Sequence, residues 1–227
     1  MTTGRIILFV VSLVFAMVLM IPLSMALSVV GQGISARSAT GTIWSGKLAD
    51  ARIGPLVLGD VAIGLEPLRL LGGAAVIDVQ SASGRGKLSS SGRAFMVRDA
   101  TVNLDGSSLF APLPVDRIDL SGVSASFDAG KCQNAKGRVR ATFSGEVGGL
   151  SLAQGLSGVA RCEGSALLLP LVSQSAMERL NLYLQGDGGF RAEFMVRSTD
   201  PALATKLSAA GFAATSGGFV LRMAGKL

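Results

Sequence analysis

The chain contains no histidine, and only two cysteines, one tryptophan and one tyrosine occur among its 227 residues. The absence of histidine removes the commonest general base and the commonest protein metal ligand. Two cysteines are too few for a zinc site with four thiolate ligands. The sequence also has neither a phosphate-binding G-x-x-x-x-G-K-[ST] element nor a dense acidic calcium loop. We therefore expect no catalytic residues, no cofactor and no metal site.

Charge is scarce as well. Charged residues make up 16% of the chain, and its formal net charge is +6. The basic residues are spread along the sequence instead of forming the clustered positive surface that nucleic-acid-binding proteins use. We expect no nucleic-acid partner.

The longest apolar stretch covers residues 6–30 and lies inside a segment without charge between Arg5 and Arg37. As one helix it would be about 37 Å long, which exceeds a hydrocarbon core of about 30 Å. The stretch predicts a transmembrane helix at residues 6–30, preceded by a cytoplasmic tail at residues 1–5. The alternative is a signal peptide that is cleaved after Ala26. Either outcome exports the remainder of the chain.

Beyond residue 30 the apolar residues alternate with polar ones over short segments, which is typical of strands with one buried face. Turn-forming sequences such as Asp187-Gly188-Gly189 separate the segments. The short spacing leaves little room for crossover helices, so we predict a mainly β fold, an elongated or curved antiparallel sheet at residues 31–227. The clearest alternating sets are Val61, Ile63 and Leu65; Ala75, Ile77 and Val79; Val123, Ala125 and Phe127; and Phe190, Ala192, Phe194 and Val196.

Two short helices and one chain break are also predicted. Asp200 is a suitable N-cap and Pro201 a suitable first residue for a helix that continues through residues 202–210. A weaker helical pattern covers residues 172–180. The proline-rich residues 111–114 form the best internal break, either between two subdomains or between two halves of one long sheet.

The two cysteines, Cys132 and Cys162, have two interpretations. In an exported domain they predict one disulfide, which would close a loop of about 31 residues and stabilise the fold by about 3–4 kcal/mol. The alternative is a pair of unbonded, small hydrophobic residues in the core.

The only tryptophan lies in a motif at residues 41–46, which reads Gly41-Thr42-Ile43-Trp44-Ser45-Gly46. The two glycines let the backbone turn at either end of the motif. Trp44 is expected to anchor the core, and a ligand-binding role is the alternative.

This motif, standing shortly after an apolar helix, resembles the type II secretion system protein N family. The resemblance extends to residues 61–67, to residues 70–72, to the cysteine pair and to the glycine-rich C-terminal part, although that family tends to have tryptophan where this chain has Ile63. The resemblance implies a non-catalytic protein of the bacterial inner membrane with a single membrane pass. It gives Gly41, Thr42, Trp44, Ser45 and Gly46 a structural role.

The resemblance also implies a function in protein export across the outer membrane. The β domain would lie in the periplasm and contact other type II secretion subunits, of the inner-membrane platform or associated with the secretin, or the exported protein. The bilayer would be contacted through residues 6–30. The alternative function is an envelope β-groove protein that binds or passes lipid or acyl chains.

Overall fold

The computed structural model describes residues 2–30, 34–54, 56–105, 115–147, 149–152 and 154–226. Within these residues the helices are α1 (Thr2–Leu19), α2 (Leu23–Val30), α3 (Pro67–Leu71) and α4 (Pro201–Ala209). The strands of the first half are β1 (Ile34–Ser35), β2 (Ser38–Gly41), β3 (Gly46–Ile53), β4 (Leu56–Leu65), β5 (Ala75–Ser81), β6 (Gly84–Ser91), β7 (Ala94–Asp105), β8 (Val115–Asp128) and β9 (Lys131–Phe143). Those of the second half are β10 (Glu146–Val147), β11 (Leu150–Ser151), β12 (Leu156–Val159), β13 (Arg161–Glu163), β14 (Ala166–Val172), β15 (Glu178–Leu184), β16 (Gly189–Val196), β17 (Ala213–Thr215) and β18 (Gly218–Lys226).

Sixteen of these strands form one antiparallel sheet. Its order is β1-β3-β4-β5-β6-β7-β8-β9-β12-β14-β15-β16-β18-β17, with β2 also paired to β3 and β13 to β14. The strands β10 and β11 form a separate two-stranded ribbon. The prediction of a mainly β, antiparallel fold with few short helices is confirmed.

The alternating pattern places the apolar side chains on one face of the sheet. Leu104 lies opposite Ile118, Val97 opposite Ala125, and Ile63 opposite Val79, because facing residues of neighbouring strands point to the same side. The sheet curves around this apolar face. Phe143 on β9 and Phe194 on β16 have ring centroids 6.3 Å apart, although β12, β14 and β15 lie between their strands.

Two cores lie on this face, one near each end of the sheet. The larger core lies in the second half of the chain and includes Phe194, Leu156 and the α4 residue Leu207, each with 0% exposure. The smaller core joins Leu23 of α2 to Leu48, Ala51 and Val61 of the first strands. Between them, no residue of β5 or β6 is fully buried. The sheet is therefore continuous while its packing is concentrated at two places.

Helix α4 agrees with its prediction in position and in capping. The Asp200 side chain accepts a hydrogen bond from the Ala202 backbone N–H at 2.9 Å, and Pro201 is the first helical residue. Leu207 is buried in the larger core, and Leu203 packs against it from the same helical face.

The helix predicted at residues 172–180 is wrong. Val172 ends β14 and Leu180 lies within β15, opposite Leu171. The residues between them form a turn, in which the Ser173 N–H donates to the Glu178 carbonyl at 3.0 Å and the Ser175 hydroxyl bonds the Glu178 carboxylate at 2.9 Å. Serine side chains that bond nearby groups in this way compete with helix formation.

The single helix predicted at residues 6–30 is also wrong. Helix α1 ends at Leu19 and α2 begins at Leu23, because Pro22 lacks the N–H that would continue the helix. Helix α2 then packs on the sheet, where Leu23 is only 4% exposed. In the described part of the chain, no helix combines the length and apolar character needed to cross a membrane.

The predicted break at residues 111–114 lies outside the described residues, so a domain boundary there stays a prediction. The flanking strands β7 and β8 are paired neighbours in the same sheet.

A disulfide joins Cys132 on β9 to Cys162 on β13, with their Cα atoms 5.6 Å apart. The predicted pairing is confirmed. Since β13 pairs with β14 in the sheet, the disulfide links this short strand covalently to β9 on its other side.

Replacing Phe194 with alanine tests the larger core. Because the Phe194 ring is fully buried between Phe143 and Phe212, F194A should lower the free energy of unfolding by about 3–5 kcal/mol. The control F95A removes a ring that is 42% exposed and should cost about 1 kcal/mol or less. Urea unfolding of the detergent-solubilised chain, followed by circular dichroism, measures both. Equal losses would contradict the closed core.

Candidate functional site

The tryptophan motif forms the connection between β2 and β3, which we call the hairpin tip (residues 41–46). Gly41 and Gly46 are the last facing pair of the two strands. Beyond them, the Thr42 N–H donates to the Ser45 carbonyl at 3.1 Å, and the Ser45 N–H donates to the Thr42 carbonyl at 3.2 Å. Ile43 and Trp44 are therefore the two central residues of this turn.

Both glycines of the tip are required by close approaches. Gly41 has a φ of 86°, and a Cβ there would lie 2.5 Å from the Ser45 carbonyl oxygen. A Cβ on Gly46 would lie 2.6 Å from Leu23 Cδ2 and 2.9 Å from the Thr42 carbonyl oxygen. The first glycine allows the turn, and the second allows α2 to approach the sheet.

The hairpin tip bonds to the end of α1 and to the residues that follow it. The Trp44 indole Nε1–H donates to the Val18 carbonyl at 3.1 Å. The Ile43 N–H donates to the Ile21 carbonyl at 3.2 Å. The tip is therefore joined to this segment by both a side chain and the backbone.

The indole takes the place of a backbone donor that the helix lacks. Val18 lies four residues before Pro22, so its carbonyl is the one that would have accepted the N–H that proline lacks. The Ile21 N–H reaches the same carbonyl only at 3.4 Å. An isolated bridge also pairs Pro22 with Thr42. The shorter indole bond thus supplies the missing donor at the point where the chain leaves α1.

Trp44 is half-buried and has this helix-capping contact. It is not among the residues of either core, and its observed contact is with the end of α1. The motif residues Gly41, Thr42, Trp44, Ser45 and Gly46 do lie together, in one turn. The motif itself does not indicate that Trp44 bonds the Val18 carbonyl, because the proline that deprives this carbonyl of its usual donor lies 22 residues away in the sequence.

Helix α3 lies next to the hairpin tip. The Leu65 N–H at the end of β4 donates to the Ile43 carbonyl at 3.1 Å, and α3 begins two residues later. The Glu66 N–H donates to the Val76 carbonyl at 2.9 Å. Despite this fixed backbone, the α3 leucines at positions 68 and 71 are 81% and 87% exposed. The sequence-based prediction did not include this helix.

Lys87 ties α3 to the sheet electrostatically. Its Nζ lies 2.9 Å from a Glu66 carboxylate oxygen and 3.5 Å from one of Asp78. The hydrogen bond to Glu66 and the charge of that carboxylate raise the pKa of Lys87, and Asp78 adds to the effect. The pair is solvent-exposed, so it adds little stability.

A second feature is the outer edge of β18. β17 covers only Gly218, Phe219 and Val220 of that strand. Residues 221–226 pair with β16 on one side, and among the described residues no strand pairs with their other side. An uncovered strand edge presents backbone N–H and C=O groups that can bond an added strand.

Within the described part of the chain, no three Cys, Asp or Glu side chains are grouped as a metal site would require. The fold and these contacts define a class of protein: an open antiparallel sheet whose first hairpin is hydrogen-bonded to an apolar N-terminal helix.

A family model described as "Type II secretion system (T2SS), protein N" matches residues 32–222. The chain therefore belongs to the type II secretion protein N family, whose members are components of that secretion machinery, and the resemblance stated from the motifs is confirmed. No curated protein and no solved structure matches the chain significantly.

A double-mutant cycle tests whether Trp44 replaces the missing donor of Pro22. W44F keeps the aromatic ring but removes the indole N–H, so it should lower the free energy of unfolding by about 1 kcal/mol. In a P22A background, the substituted residue can donate its own backbone N–H to the Val18 carbonyl, and W44F should then cost much less. Urea unfolding of the four detergent-solubilised proteins gives the coupling energy. An equal cost in both backgrounds would refute the replacement.

Proposed function

We propose that the chain is a non-catalytic component of the type II secretion machinery that is held in the bacterial inner membrane by α1. Its sheet lies in the periplasm and contacts other secretion subunits or an exported protein. The observation that carries this proposal is the family match over residues 32–222. The exposed apolar surface of α1 supports the membrane anchoring, and the uncovered edge of β18 supports the contact with a partner.

The anchoring part rests on the exposure of α1. Apolar side chains around the helix are open, among them Leu8 at 73%, Phe9 at 68% and Met17 at 69%. Such a surface is stable in lipid but costly in water. The apolar residues 6–19 would be about 21 Å long as a helix, and a segment shorter than the hydrocarbon core is accommodated by local thinning of the bilayer.

Retention of the N-terminal segment is favoured over cleavage after Ala26. Cleavage there would remove Leu23, which is buried in the smaller core, and Pro22, which is bridged to the hairpin tip. It would also remove the Val18 carbonyl that Trp44 bonds. A segment so bound to the sheet is part of the folded domain, and we propose that it stays in the mature protein as its membrane anchor.

The partner-binding part rests on the free edge of β18. Residues 221–226 can bond an extended segment of another protein by strand addition, a common form of protein recognition. Lys226 lies on this stretch and is exposed, and the exposed Arg222 pairs with Glu193 of β16 at 3.6 Å, so an acidic side chain of a partner segment would fit beside Lys226.

The single tryptophan makes the anchoring testable. In liposomes that contain brominated lipids, Trp44 emission should be quenched, since the indole lies at the end of α1.

Two further measurements test the orientation and the retention of the N-terminal segment. A phosphatase fused after residue 227 should be active in the periplasm, and the purified protein should retain its N-terminal residues. Unquenched emission, cytoplasmic orientation or an N-terminus at Leu27 would each contradict the proposal.

Site-specific photo-crosslinking tests the β18 edge in cells that carry the secretion machinery. A photoreactive residue in place of Ala224, which is exposed on that edge, should crosslink to another secretion subunit or to an exported protein. The matched control replaces Lys136, which is exposed on the central strand β9. Identical products from both positions, or none from Ala224, would contradict strand addition at this edge.

The second candidate function is lipid binding, and one feature of the apolar face favours it. Between the two cores, Ile77 and Leu88 face each other on β5 and β6 and stay partly exposed. A photoreactive residue in place of Leu88 distinguishes the candidates in the same experiment. Adducts with the mass of a phospholipid at Leu88, without protein crosslinks at Ala224, would favour lipid binding over the subunit role.

A further inference from the structure

The exposed leucines of α3 form an apolar surface that nothing described so far explains. Leu68 and Leu71 lie three residues apart, so they share one helical face, and at 81% and 87% they are the most exposed large hydrophobic side chains among the described residues. Leu70 between them is 38% exposed. We call this surface the α3 knob (Leu68, Leu70 and Leu71).

The knob is held out by a fixed backbone. At its start, the Glu66 N–H bonds the Val76 carbonyl, and the Glu66 carboxylate pairs with Lys87. At its end, the backbone N–H groups of residues 73 and 74 bond the carbonyls of residues 70 and 69 at 2.9 and 3.1 Å. The backbone of α3 is therefore held by hydrogen bonds at both ends, and its leucine side chains are exposed.

The position of the knob is set by the order of the strands. In an antiparallel sheet, alternate connections lie at the same end, so the hairpin tip and the β4–β5 connection that contains α3 share one end. A direct chain of hydrogen bonds joins them: Leu65 N–H to the Ile43 carbonyl, and Ile43 N–H to the Ile21 carbonyl. The knob thus stands beside the point at which α1 leaves the sheet.

Basic groups accompany the knob. The Arg69 side chain is 67% exposed, and its Nε lies 3.8 Å from a Glu66 carboxylate oxygen. The β6–β7 turn, which carries the exposed Arg93, is joined to α3 by a hydrogen bond from the Ser91 hydroxyl to the Gly73 carbonyl at 3.2 Å. Exposed leucines flanked by arginines are the composition of surfaces that enter the headgroup region of a bilayer.

We propose that the α3 knob is a second membrane contact, inserted into the headgroup region of the bilayer that holds α1. This rests on the proposed anchoring of α1, with which the knob is contiguous. Two contacts, one on the helix and one on the sheet, fix the tilt of the sheet above the membrane. A single helix would leave the sheet free to rotate about its connection.

An environment-sensitive fluorophore on single introduced cysteines tests the proposal in liposomes of phosphatidylethanolamine and phosphatidylglycerol. The native cysteines are joined in the disulfide, so only the introduced thiol reacts. Three positions are compared in the full chain: Leu71→Cys on the knob, Leu13→Cys on α1, and Met177→Cys. Met177 is 52% exposed in the β14–β15 turn, at the opposite end of the sheet.

The Leu71 probe should show blue-shifted emission and be quenched by lipids brominated near the headgroups. The Leu13 probe should be quenched by lipids brominated at greater depth, and the Met177 probe should stay water-like. A quenched Leu13 probe with a water-like Leu71 probe overturns the knob contact and leaves the anchoring intact. A water-like Leu13 probe overturns the anchoring itself. A blue shift at Leu71 without quenching indicates a protein contact and overturns the lipid contact.

A double variant, L68D/L71D, provides an independent measurement. Both side chains are exposed, so the fold should be unchanged by circular dichroism, and the protein should still sediment with liposomes through α1. The carboxylates would draw the knob out of the headgroups, and quenching of Trp44 by shallow brominated lipids should fall. The control L68N/L71N carries uncharged side chains of the same shape as aspartate. If Trp44 is quenched equally in L68D/L71D, in this control and in the native chain, the proposal is overturned.

Discussion

The contact between Trp44 and the Val18 carbonyl determines how the two parts of this protein are joined. Pro22 ends α1 and cannot supply that carbonyl with the usual helical donor, and the indole of a residue on the first hairpin provides one at 3.1 Å. In an apolar environment a poorly bonded carbonyl is costly, so the pairing gains importance if α1 lies in lipid. The backbone bond from Ile43 to the Ile21 carbonyl, which belongs to the bridge between Pro22 and Thr42, adds a backbone contact to this side-chain contact.

The glycines of the tip and the fold of α2 follow from this junction. Because α1 ends before Pro22, α2 can lie against the apolar face of the first strands, and Leu23 fills the space that a Cβ on Gly46 would occupy. Leu23 is one of the four buried residues of the smaller core, so this core depends in part on the approach of α2. The larger core is independent of it, since it is enclosed by the curvature of the second half of the sheet and by α4. Loss of the junction should therefore affect the two ends of the sheet unequally.

Much of this architecture could be predicted because it depends on local pattern. Alternating residues in the segment 190–196 predicted a strand, and Asp200-Pro201 predicted α4, since period and capping are encoded within a few residues. The break at Pro22 and the role of Trp44 could not be predicted in the same way, because each depends on the other across the fold. The helical pattern at residues 172–180 failed for a related reason: cross-strand pairing of Leu171 with Leu180 outweighed it.

The order of the sheet separates the hairpin tip from the free edge of β18. Thirteen strand spacings lie along the path from β1 to β17, and neighbouring strands are about 4.8 Å apart, so the path is at most roughly 60 Å long. Curvature shortens this distance, yet β18 remains at the opposite side of the sheet from the hairpin tip. A sheet fixed near the membrane at its first hairpin would hold that edge at a constant lateral distance from α1. Because each strand is bonded to its neighbours, a change of tilt at the junction would move the distant edge with it.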